Sequence, residues 1–81
     1  MNTDEARELL GRLLHRIAPE ADLDEAGPDE PLQEALDLDS MDFLNLVTAL
    51  QAETGIDVPE RDYPQVSTQR GFADYVAAAS S

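Results

Sequence analysis

The sequence predicts a small all-α protein, a four-helix bundle of three main helices and one short one, with a long loop between the first helix and the second. Three observations predict it. Apolar residues recur at spacings of three and four in the first, middle and last parts of the chain. No segment of two-residue alternation is long enough to argue for a sheet. Proline and glycine fall where one helical pattern ends, at Pro19, Gly55 and Pro64. At 81 residues the chain is expected to form a single domain, 1–81, with a modest core.

The first helix starts behind Asn2, which can cap it, with Glu5 three residues on. Ala6, Leu9, Leu10, Leu13, Leu14 and Ile17 then make one apolar stripe, and Arg12 and Arg16 lie towards the end that suits cations. Pro19 stops it. Residues 18–39 hold three prolines, one glycine and many acids, with Leu23, Leu32 and Leu36 as sparse apolar pins. Pro31 can open a short helical turn through Leu36. The second long helix starts at Asp39 or Ser40 and ends at Gly55. Phe43, Leu46, Val47 and Leu50 form its core stripe. Met41, Leu44 and Thr48 form a further stripe, rotated to one side, which a surface helix does not need. That second stripe means either that the helix is buried nearly all round or that it shows this face to a partner. Residues 59–63 allow a short helix closed by Pro64. Ser67 or Thr68 caps the last helix, which carries Phe72, Tyr75, Val76 and Ala79; Gly71 weakens it slightly.

Charge excludes several classes of function. Five arginines stand against eighteen acids, there is no lysine, and the formal net charge is −13. A nucleic-acid backbone would be repelled, whereas basic protein surfaces would be attracted, and a soluble monomer is expected. Between Ile17 and Glu60 there are thirteen acids and no basic residue. No apolar run approaches the roughly 20 residues that cross a membrane, and no disulfide can form without cysteine; both fit a cytoplasmic protein.

Catalysis finds no support. His15, the one histidine, lies on the polar side of the first helix, far in sequence from any candidate nucleophile. The acids around Asp37 and Asp39 fail the calcium-loop pattern, which would need an oxygen ligand at Met41, glycine at Asp42 and glutamate at Thr48. Diffuse cation binding by the acidic loop is expected, but no dedicated metal site. What remains is Ser40, a hydroxyl held at a helix start between Asp39 and Asp42. It is either a simple N-cap or a place where a group is attached, and the amides of a helix start favour a phosphodiester.

Leu36-Asp37-Leu38-Asp39-Ser40-Met41 resembles the attachment signature of the acyl carrier protein family, in which leucine and glycine precede an aspartate–serine–leucine triplet. Leu32 matches an apolar pin eight residues before the serine, GIDVPERD (55–62) resembles the lead into the family's short third helix, and STQRGFADYV (67–76) its last-helix opening. The resemblance covers most of the chain. It implies that Ser40 carries 4'-phosphopantetheine, installed by a phosphopantetheinyl transferase from coenzyme A with magnesium, and that acyl groups ride on the arm's thiol as thioesters. It implies that Asp39 helps present the serine. It also implies partner contacts at Asp37, Met41, Asp42, Leu44, Asn45 and Thr48, made with acyl-transferring and acyl-modifying enzymes that bear basic patches. Asp37 replaces the usual glycine, and Asn45, Gln51 and Ala52 stand where the family's second helix is often acidic, which points to a dedicated pathway rather than general fatty-acid synthesis. The alternatives are an aminoacyl or peptidyl carrier of the same fold, or an acidic helical interaction protein that is never modified.

Overall fold

In the computed structural model, which describes residues 1–80, four α-helices follow in order: α1 (Thr3–Ile17), α2 (Leu32–Ala35), α3 (Ser40–Thr54) and α4 (Gln69–Ala79). A 3-10 turn at Leu23–Glu25 interrupts the long first connection, and a 3-10 helix, Glu60–Val66, joins α3 to α4. Among the described residues there is no strand, only an isolated antiparallel bridge between Pro31 and Thr68. None of the described helices is long and apolar enough to cross a membrane.

The helix boundaries follow from local chemistry. Asn2 caps α1 by a reciprocal pair: its Oδ1 accepts from Glu5 N at 2.8 Å, and Glu5 Oε1 accepts from Asn2 N at 3.1 Å. Gly55 ends α3 in the left-handed region, φ 76°, with its N–H donating to the Gln51 carbonyl at 2.8 Å. Thr68, rather than Ser67, caps α4, its Oγ1 accepting from Gly71 N at 3.0 Å. Pro64 does not close the short helix expected at 59–63 but sits inside Glu60–Val66. A proline there removes one donor from the ladder and keeps the segment in the short 3-10 form.

The core is the meeting of three stripes. Leu9, Leu10, Leu13 and Leu14 of α1 pack with Phe43, Leu46, Val47 and Leu50 of α3 and with Phe72, Ala73 and Val76 of α4. Burying a leucine of this kind stabilises by about 2 kcal/mol. Ala79, assigned to the α4 stripe from its spacing, is exposed in the last turn. Tyr75 is half-buried; its hydroxyl donates to Asp62 Oδ2 at 2.8 Å, and that bond, with burial and the nearby carboxylates, raises its pKa above the usual phenol value. Gly71 does more than weaken its helix. A Cβ at this position would lie 2.2 Å from the Gln65 carbonyl oxygen, so only glycine lets Glu60–Val66 approach α4 this closely.

The long connection is held along much of its length. Gln69 Nε2 donates to the carbonyls of Leu23 and Ala26 at 3.4 and 3.2 Å. Arg70 N donates to the Pro28 carbonyl at 2.9 Å, and Leu32 N to that of Ser67 at 2.8 Å. An exposed ion pair, Arg70 to Asp29 at 3.5 Å, adds little by itself. The start of α4 is therefore the platform on which the acidic connection and α2 rest.

Candidate functional site

The candidate site is the junction of α2 and α3. α2 ends in a Schellman turn: the Leu38 N–H donates to the Gln33 carbonyl at 2.9 Å, across Asp37, whose φ is +54°. Asp37 is the only non-glycine residue with positive φ among those described. This backbone explains why the related signature has glycine there, and aspartate is among the few side chains that tolerate it. Leu32 and Leu38, on the two sides of the turn, are both buried in the core and pin it.

Asp39 then caps α3. Its Oδ1 accepts from Asp42 N at 2.9 Å, while Asp42 Oδ2 accepts from Asp39 N at 3.3 Å. The cap is therefore Asp39, and the reading of Ser40 as a simple N-cap does not hold. Ser40 is the first helical residue, exposed, and its hydroxyl bonds to no described residue. The backbone amides of Ser40 and Met41 are also left uncapped, at the end of the helix whose dipole favours an anion. Among the described residues no ion pair reaches Asp37, Asp39 or Asp42, so the surroundings of Ser40 carry uncompensated negative charge. Among the described residues no group of three or more His, Cys, Asp or Glu side chains is placed to hold a metal ion.

Beyond Ser40 the second stripe of α3 is open to solvent. Met41 is 63% exposed and Leu44 44%, which decides between the two readings of that stripe: it is not core. Asn45 and Thr48 are exposed on the same side, the Thr48 hydroxyl donating back to the Leu44 carbonyl at 2.9 Å. Asp37 and Asp39 are exposed and Asp42 half-buried. The sequence-predicted residues thus share one end and one face of α3.

A groove of about 440 Å³ opens beside Ser40. Met41, Phe43, Leu44 and Pro64 give it apolar walls, and Gln33, Tyr63 and Ser67 add polar groups from three other parts of the chain. Tyr63 meets Phe43 edge-on, with ring centroids 5.4 Å apart and planes at 74°. The sequence did not disclose these four residues outside α3. Gln33 carries no local signal, Ser67 reads only as a candidate cap of the last helix, Tyr63 only as part of a short helix and Pro64 as its end.

Comparison with known proteins agrees with this geometry. A family model described as "Phosphopantetheine attachment site" matches residues 3–76. An "Acyl carrier protein" of Streptomyces coelicolor is 36% identical over 76 residues, covering 94% of this chain and 78% of that protein. The chain belongs to the acyl carrier protein family, whose members are carriers rather than catalysts and bear 4'-phosphopantetheine as their prosthetic group. The residues at the start of α3 fit such a group: an exposed, unbonded hydroxyl for a phosphodiester, beside two uncapped amides.

Proposed function

We propose that Ser40 is the residue that carries the 4'-phosphopantetheine arm, and that the arm's thiol holds acyl intermediates as thioesters for delivery to other enzymes. The observation that carries the reading is the exposed, unbonded Ser40 hydroxyl as the first residue of a helix capped by its neighbour Asp39. The chain acts as one carrier domain, 1–81, monomeric and cytoplasmic. A phosphopantetheinyl transferase loads it, with Asp39 holding the serine's helix in place.

The enzymes that use the cargo dock on α3. Their basic patches are drawn by Asp37, Asp39 and Asp42, and their apolar contacts fall on Met41 and Leu44, flanked by Asn45 and Thr48. An exposed apolar pair framed by charge supports this reading. Only Asp42 and Glu53 are acidic within α3, whereas Asp37 and Asp39 lie before it, and this sparse charge along the helix supports a dedicated pathway for polyketide or specialised lipid synthesis rather than general fatty-acid synthesis.

The test is an intact mass after incubation with a phosphopantetheinyl transferase and coenzyme A, followed by acyl transfer from a partner enzyme. One added arm, then one added acyl group, is expected. A chain that gains no arm is instead an unmodified interaction protein.

A further inference from the structure

The groove beside Ser40 is lined in part by polar side chains whose hydrogen-bonding groups no described protein group takes up and which water reaches. Among the described residues, the half-buried side chains with polar groups are almost all partnered. Thr54 donates to the Leu50 carbonyl, Gln69 to Leu23 and Ala26, Tyr75 to Asp62, and Ser67 to the Pro64 carbonyl. Asp42, Asp62, Thr68 and Arg7 are bonded as well. The exceptions are Thr3, Gln33 and Tyr63. Two of these, Gln33 and Tyr63, come from different elements and line the same groove as Ser40.

The chemistry of the lining narrows what suits it. Gln33 offers two N–H donors and a carbonyl acceptor, Tyr63 a hydroxyl, and Ser67 Oγ keeps lone pairs free to accept after donating to Pro64. None of the lining residues is charged and the acids around Ser40 are negative, so nothing there compensates a carboxylate. A fully saturated chain laid along the walls would strip water from the Gln33 amide and the Tyr63 hydroxyl and give nothing back. A chain with neutral keto or hydroxyl oxygens would keep the apolar contact with Met41, Phe43 and Leu44 and satisfy both groups.

We propose that the groove selects acyl chains bearing neutral keto or hydroxyl oxygens over saturated chains, with Gln33 and Tyr63 as its specificity-determining residues. This rests on the reading that Ser40 carries the arm. The asymmetry is the usual one for such sites: a pocket built to hydrogen-bond an oxygen rejects the analogue that lacks it.

The experiment loads the intact chain with hydrolysis-resistant arms, the thioester replaced by an amide, ending in octanoyl or β-ketooctanoyl. Intact mass first reports whether the arm is attached. NMR then follows the Gln33 side-chain amide and the Tyr63 ring. The β-keto chain should shift both signals, and its groove-bound population should exceed that of octanoyl by roughly two- to tenfold, the worth of one net hydrogen bond. Gln33→Leu and Tyr63→Phe should each reduce that ratio, and together bring it to one. Tyr63→Phe keeps the ring that meets Phe43, so its fold is conserved, and the wild-type comparison decides the matter without either variant. Octanoyl occupying the groove as well as the β-keto chain, or a ratio unchanged in the double variant, overturns the inference and leaves the carrier reading intact. A chain that accepts no arm overturns both.

Discussion

α1 and α3 are each fifteen residues long and begin with the same device. Asn2 and Glu5 cap one, Asp39 and Asp42 the other, by matching reciprocal hydrogen bonds. Both even place a hydroxyl residue first, Thr3 and Ser40. Yet Thr3 is half-buried while Ser40 stands exposed, and only α3 follows a left-handed turn between two buried leucines. The comparison teaches that a capping box starts a helix and does not make a site. The candidate site at α3 is set apart by what surrounds the cap: α2 fastened to the start of α4, the turn at Asp37, and a groove lined by residues distant in sequence. The helices also differ along their length. α1 buries a single stripe, whereas α3 buries one stripe and shows another, Met41 and Leu44, to solvent.

The two stripes of α3 give the largest expected effect. Leu46→Ala, at a position 1% exposed, should cost about 2–5 kcal/mol in urea unfolding. Leu44→Ala should stay below about 1 kcal/mol and instead shorten the lifetime of complexes with acyl-handling partners. Equal losses of stability would erase the distinction between the faces.

The caps come next. Asn2→Ala and Asp39→Ala should each lower stability by about 1 kcal/mol, since the two boxes are alike. Only Asp39→Ala should slow loading of the arm, because only that cap adjoins Ser40, the proposed attachment residue. Equal slowing in both, measured by a timed mass assay, would mean that loading follows general stability rather than the local start of α3.

The smallest effect is expected at the turn. Asp37→Gly should keep loading intact and raise the melting temperature, by the equivalent of up to about 1 kcal/mol, as glycine adopts a φ of +54° without strain. A lower melting temperature would show that the aspartate side chain itself holds the turn.

Much of this was legible in the sequence because it is encoded locally. The caps at Asn2 and Asp39, the stop at Gly55 and the stripes of the long helices depend on residues within one or two turns, and each stands where spacing and propensity put it. The exposed placement of Leu44 resolved a choice that periodicity left open, since a second stripe reads the same whether buried or docked. What was not legible depends on pairing across the chain. Gln69 clasping Leu23 and Ala26 joins positions more than forty residues apart. The need for glycine at 71 arises only because Gln65 packs against it, and no local rule distinguishes it from a weak helix residue. The same holds for the candidate site: Ser40 is singled out by its signature, whereas Gln33 and Tyr63 come beside it only once α2 and the 3-10 helix have folded onto α3.

The central claim is that the start of α3, and no other hydroxyl in the chain, receives the prosthetic group. Peptide mapping by mass spectrometry after treatment with a phosphopantetheinyl transferase and coenzyme A tests it most directly, run on the wild type and on Ser40→Ala. Ser40 is not the cap, so Ser40→Ala should melt within a few degrees of the wild type, a change of about 0.5 kcal/mol or less. One arm per wild-type chain is expected, on the peptide containing Ser40, and none on the variant. An arm found on Thr3 or Ser67, or any arm on a folded Ser40→Ala chain, would contradict it.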